Sequence, residues 1–331
     1  MNQDSSPGRT GVATTAGAER TAASEIAIRV QALTRAFGEH TAVDSITFDV
    51  DRGELFGLVG PDGAGKTTTL RMLAGVMRPT AGDAVVDGVS VATNAEAAKH
   101  HLAYMPQRFG LYADLTVLEN LMFYADLFQV PKSERAARLE RLFTFSNLGP
   151  FQARLAGNLS GGMKQKLALS CALIHQPRVL LLDEPTFGVD PISRRDLWLI
   201  VHEMVAQGVT VVVSTAYMDE AERFDRLALL HKGRVLAVDT PRALEMAIGG
   251  SMLSVDVDNV RAARDVLARQ PFARRVTVFG DRLHVSVADA AAAADVASVL
   301  RQAGHIVGGI QPVAASLEDV FIDRIATPEA A

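Results

Sequence analysis

The stretch GPDGAGKTT, residues 60 to 68, gathers three glycines, a lysine and two threonines at a spacing suited to holding phosphate. Gly60, Gly63 and Gly65 let backbone N–H groups turn inward around anionic oxygens, with Pro61, Asp62 and Ala64 filling the loop. A helix opening at the lysine adds its positive end. Lys66 supplies a point charge for the β and γ phosphates, the Thr67 hydroxyl suits a magnesium ion, and Thr68 follows at the helix start. A second stretch, VLLLDEP, places two acids at the end of an apolar run. Asp183 fits the role of holding Mg²⁺ directly or through water, and Glu184 that of a general base polarising the attacking water. Singly, each stretch has a plainer reading, a glycine turn or a solvated acidic pair. Together they indicate nucleoside triphosphate hydrolysis.

A third stretch, LSGGMKQKL, is a Ser-Gly-Gly turn opening a basic helix, and it too offers a hydroxyl and free N–H groups to an anion at Ser160, Gly161 and Gly162. The elements that must position these groups are legible from period. ELFGLVG is a strand ending at Gly60, TTTLRMLAGVM a helix, residues 81 to 92 a hairpin turning at Asp87-Gly88, residues 116 to 177 mostly helical, and RVLLLD and VTVVVS buried strands. In open α/β sheets, ligands sit at the carboxyl ends of strands. The run VVVSTAYMDEAERFD ends its strand at Ser214-Thr215-Ala216 and continues as a helix, so the inert Ala216 occupies such an end.

The 331 residues suggest one large and one small unit. Residues 1 to 25, rich in Ser, Thr, Gly and Ala, read as a disordered tail without a signal peptide's apolar block. Residues 26 to 249 form the larger α/β unit, with a helical subdomain at about 108 to 170. After Gly249-Gly250, residues 250 to 325 alternate as β-α-β-β-α-β, the ferredoxin-like order, and 326 to 331 are a tail. A net charge of −5 disfavours nucleic acid as the main partner. The single Cys171 lies in an apolar run and reads as a buried small hydrophobe rather than a nucleophile. No run reaches the roughly 18 apolar residues of a membrane span.

Taken in order, these motifs resemble those of ABC-transporter ATPases over residues 28 to 240. The resemblance implies an α/β P-loop fold and a signature segment at Ser160, Gly161 and Gly162 that binds the γ-phosphate held by the opposite subunit. It also implies an aromatic stacked on adenine at Phe37, a Mg²⁺-sensing glutamine at Gln107 that also meets the transmembrane partner, and a loop acid at Asp190. Read from the residues alone, Phe37 is equally a core residue and Gln107 a surface amide. Residues 250 to 325, ending in SLEDVFI, are similar to the accessory domain of bacterial ABC-2-type exporter subunits, a group that includes drug-resistance ATPases. STAYMDEAERFD resembles a multidrug or heavy-metal export branch in which two such halves can be fused. The resemblance implies ATP and Mg²⁺ as cofactors and a head-to-tail dimer with a second ATP-binding subunit, homo- or heteromeric. It also implies an ABC-2-type integral-membrane permease as partner and a cytoplasmic place on the inner face of the cell membrane. FGLYADLTVLENL, after Gln107, is then part of the groove for the permease's cytoplasmic helix, or else local core.

At one position the sequence departs from that pattern. Ala216 stands where most of the family carries a switch histidine contacting the γ-phosphate, and neither His175 nor His231 takes its place by spacing. Tyr217 is a candidate stand-in. Two other readings remain: a regulatory, weakly hydrolysing nucleotide-binding module, and a soluble ABC ATPase acting on translation or DNA without a permease.

Overall fold

The computed structural model describes residues 26–108 and 110–326; the expected tail at residues 1 to 25, and that at 326 to 331 beyond its first residue, lie outside them. The larger unit is built on two sheets. The first is antiparallel, from β1 (Ile26–Phe37), β2 (His40–Asp51), β4 (Ala81–Val86) and β5 (Val89–Ser90), in the order β2-β1-β4-β5. The second runs β10-β9-β3-β8-β7-β6, from β3 (Leu55–Val59), β6 (Leu102–Met105), β7 (Val179–Asp183), β8 (Thr210–Thr215), β9 (Arg226–His231) and β10 (Arg234–Asp239). All its pairs are parallel except β9 with β10.

The central strands are continuous apolar runs because both faces of the sheet are covered. Leu55, Val59, Leu180, Leu182, Val211 and Val213 face one core, and Phe56, Leu58, Val179, Leu181 and Val212 face the other. That second core is closed by the antiparallel sheet and by α1 (Lys66–Leu73), which contributes Leu70, Met72 and Leu73. A short helix, α2 (Ala95–Lys99), precedes β6. The first core takes its cover from α3 (Val117–Leu127), α4 (Lys132–Ser146), α5 (Gly161–Leu173) and α6 (Pro191–Ala206). Thr116 and Glu119 form a reciprocal capping box at the start of α3, which fixes where the helical segment begins. Parallel register aligns the strand ends, pairing Val59 with Thr215 and Asp183 with Ser214. The loops after β3, β7 and β8 therefore emerge side by side, where a ligand can meet all three.

After α7 (Pro241–Met246), β11 (Ser251–Val257), α8 (Val260–Leu267), β12 (Ala273–Phe279), β13 (Arg282–Val287), α9 (Ala293–Gln302) and β14 (Val307–Val313) follow in the β-α-β-β-α-β order read from the alternation. Their antiparallel sheet runs β12-β13-β11-β14. Leu253, Val255, Leu283 and Val285 on one face bury against Ala263, Leu267, Val296 and Leu300 of the two helices.

Two expectations need correcting. The last helix, α10 (Leu317–Ala326), falls within the residues expected of the smaller unit, yet Leu317 and Val320 belong to the apolar core of the larger one. Its Phe321 ring also meets His231, at the end of β9, edge-on at 5.8 Å. Only the polar side of α10 turns to the small sheet, where Asp319 meets His284. The segment after Tyr217, expected as a helix, is a 3₁₀ turn at Met218–Arg223. Six residues are too few for the 3.6 period to separate the two.

Candidate active site

The phosphate loop lies between β3 and α1, with Gly65 at φ 101°. A β-carbon there would lie 2.7 Å from the Ala42 carbonyl oxygen, so only glycine fits. No side chain caps α1, and its first N–H groups remain open to a ligand. They face a cleft of about 440 Å³ whose walls include Asp62 to Thr68, Gln107 and Glu184. Lys66 is 4% exposed and donates to the carbonyls of Gly60 at 2.8 Å and Pro61 at 3.1 Å. Its Nζ also lies 3.2 Å from Glu184 Oε1. Gln107, exposed, donates to Glu184 Oε2 at 2.9 Å, so the glutamine and the lysine grip one carboxylate from two sides.

Asp183 is 2% exposed, yet among the described residues no salt bridge reaches it. Three hydroxyls surround it instead: Thr67 at 2.9 Å and Ser214 at 2.7 Å donate to Oδ1, and Tyr104 at 3.2 Å to Oδ2. Burial, reinforced by the Asp183 charge, pushes the Tyr104 phenol up to about 12, so it stays a donor throughout the working pH range. A buried carboxylate without a counter-charge is costly. The hard oxygens of Thr67 and Asp183 suit Mg²⁺, which needs one or two protein ligands when substrate phosphates supply others. Glu184 adopts φ 48°, left-handed backbone that a non-glycine residue enters at about 1–3 kcal/mol. Its N–H goes to Ser214, at 3.1 Å from the carbonyl and 3.0 Å from Oγ.

The signature residues stand apart from this cluster. Ser160 is exposed and its Oγ accepts from Met163 N at 3.3 Å, capping α5. Asp190 caps α6 in the same way, from Ser193 N at 2.9 Å, a bond that lowers its carboxyl below the usual value. Gly162 joins the two helix starts, for a β-carbon there would lie 2.1 Å from Ser193 Oγ. Neither Ser160, Gly161, Gly162 nor Asp190 lines the cleft. Phe37 is 45% exposed, so it is no core residue, and the Arg35 guanidinium lies 4.5 Å above its ring. His40, which the sequence did not single out, does line the cleft. Tyr217 does not: its ring packs 4.7 Å under the Arg194 guanidinium. His175 stacks on Phe128 and His231 meets Phe321 edge-on, and neither lines the cleft. Cys171 is buried, and burial raises its thiol out of reach of ionisation. Another cavity, about 290 Å³, lies at the opposite strand ends near Arg178 and Val209, and its arginines are already engaged by Asp87, Glu134, the Ile174 carbonyl and Gln207.

This arrangement can hold a triphosphate and a divalent cation beside a carboxylate, and its relatives have the same theme in their names. The ABC transporter profile matches residues 43–187. The Nod factor export ATP-binding protein I of Paraburkholderia xenovorans (strain LB400) is 37% identical over 300 residues, which cover 90% of this chain and 96% of that one. The chain belongs to the ABC transporter family. Cassettes of this family bind ATP and hydrolyse it to power transport. A 209-residue stretch of the cassette is 52% identical to the "Probable multidrug ABC transporter ATP-binding protein YbhF" of Escherichia coli (strain K12), covering 63% of this chain. The chain spans only 36% of the length of that relative. Among solved structures, an ATP-binding subunit of an ABC transporter superposes with a TM-score of 0.61 at 32% identity, covering 66% of this chain and 92% of that one. Among the described residues, no helix is long and apolar enough to cross a membrane.

Proposed function

We propose that this chain is the ATP-binding subunit of an ABC-2-type exporter, hydrolysing Mg-ATP to drive efflux of a small molecule through a separate permease. The observation that carries the reading is the convergence of Lys66 and Gln107 on the Glu184 carboxylate, beside the Thr67–Asp183 pair, at the mouth of an uncapped helix. When bound, Mg-ATP would supply the electrophilic phosphorus and a positive counter-charge for the Asp183 carboxylate. Lys66 and the open N–H groups of α1 would hold phosphate oxygens, Thr67 and Asp183 would hold the ion, and Phe37 or His40 would border the base. Glu184 takes a proton from the attacking water while Gln107 orients that carboxylate. The exposed Ser160, Gly161 and Asp190, with the buried Gly162 setting the turn, serve the phosphate of a second subunit in a head-to-tail dimer. Export to the far side of the membrane, with this subunit peripheral on the inner face, fits the multidrug and Nod factor export relatives. The small ferredoxin-like unit beyond Gly250 is the accessory domain, joined to the ATP-binding domain through α10.

Glu184→Gln tests the assignment, because an amide of the same shape cannot accept the water's proton. Steady-state turnover should fall by about 10²- to 10⁴-fold while ATP binding persists and an ATP-bound dimer accumulates in size-exclusion chromatography. Undiminished turnover removes Glu184 as base. Co-purification from detergent-solubilised membranes with a multi-span protein is the matching test of the permease, and recovery with ribosomes instead would favour a soluble ATPase.

A further inference from the structure

Glu184 is held in a left-handed conformation by more than its own neighbours. The chain leaves it, passes Val189 and enters α6, while β8 returns alongside with Ser214 taking the Glu184 N–H. A buried carboxyl closes these two paths into a ring. Glu220, 1% exposed on the 3₁₀ turn, accepts from Thr215 Oγ1 on Oε2 at 2.7 Å. Its Oε1 accepts from Trp198 Nε1 of α6 at 3.3 Å and lies 3.8 Å from Arg194 Nε. Thr215 Oγ1 in turn accepts the N–H of Tyr217 at 3.0 Å, and Arg194 covers the Tyr217 ring, so the backbone on both sides of Ala216 is fixed by the same group. Packing alone does not call for a carboxyl here, since an apolar side chain would fill the space without the cost of burying charge.

We propose that Glu220 is a positioning residue for hydrolysis: by tying α6 to the end of β8, it keeps Glu184 and the Ala216 backbone in register with Asp183. The inference rests on the cleft being an ATPase site. Strained backbone persists only where its surroundings over-determine it, and the ring through Glu220 supplies that constraint from the side opposite the phosphate loop. It also places the chain's single tryptophan, Trp198, as a reporter inside the ring.

The test compares full-length wild type, Glu220→Gln, Thr215→Val and Thr215→Ser by TNP-ATP affinity, single-turnover hydrolysis and the change in Trp198 emission on adding Mg-ATP. Glu220→Gln keeps the shape but leaves either the Thr215 O–H or the Trp198 N–H without an acceptor. The expected result is affinity within about twofold of wild type, a hydrolysis rate lower by about ten- to a hundredfold, and loss of the emission change. Thr215→Val should follow it and Thr215→Ser should restore wild-type behaviour, a rescue that a merely space-filling role does not produce. Glu220→Gln with an unchanged rate and an unchanged emission response overturns the inference alone, as does a rate loss matched by an equal loss of affinity. A wild-type chain that fails to bind TNP-ATP overturns the ATPase reading and the inference with it.

Discussion

The two regions proposed to face phosphate differ in where their partners are. In the loop at Gly60 to Thr68, Lys66 meets Glu184 and Thr67 meets Asp183, and Gln107 reaches Glu184 from the far wall, so the polar groups of the cleft already engage its two carboxylates. At Ser160 and Asp190, the side chains do no more than cap their own helices and face solvent. The first region is arranged by its own chain; the second is presented. Electrostatic preorganisation favours keeping the hydrolytic groups on one rigid sheet end, whereas control by closure favours putting the last contact on another molecule.

That contrast can be broken in three ways, the largest effect first. Lys66→Ala removes a buried charge that makes several contacts, and should weaken ATP binding by at least about 10³-fold at any protein concentration, read by TNP-ATP titration. Retained affinity would sink the phosphate assignment. Ala216→His adds an imidazole at the carboxyl end of β8, and if one electrostatic contact to the γ-phosphate is what wild type lacks, steady-state ATPase should rise by about 10²-fold. An unchanged rate would mean that the cleft hydrolyses without that contact. Ser160→Ala should leave TNP-ATP affinity within about twofold and lower turnover by about ten- to a hundredfold, the value of one hydrogen bond to a charged group. Mixing Lys66→Ala with Ser160→Ala chains then sharpens the comparison. A head-to-tail pair of the two contains one intact site, so the mixture should exceed either variant alone, and a mixture no better than its parts would put both regions in the same chain's site.

Most of the hydrolytic half is legible in the sequence because each of its demands is local. Gly65 is needed where φ is positive and the Ala42 carbonyl is close, and two acids at the end of an apolar strand stand out against their surroundings. The small sheet is legible for the same reason, since alternation in β11 and β13 writes its buried face directly. What escaped reading depends on distant partners. Glu220 sits among Asp219, Glu222 and Arg223, and nothing in that charged run marks the one acid that a tryptophan 22 residues away will bury. SLEDVFI announces an amphipathic helix that needs an apolar partner, but both the small sheet and the larger core could have supplied one. The left-handed backbone at Glu184 has no signature in residue type, since glutamate is an unfavourable choice for it.

The placement of α10 has a consequence for how the molecule is made. Leu317 and Val320 complete a core whose other members begin at Leu55, so the larger unit cannot finish folding on the ribosome until β11 to β14 have been synthesised. During that interval the seat of α10 is bare apolar surface, a site for chaperones to hold and for nascent chains to stick. Through Phe321, which meets His231 at the end of β9, the last helix to be made reaches the strand paired with β3, the one that leads into the loop at Gly60.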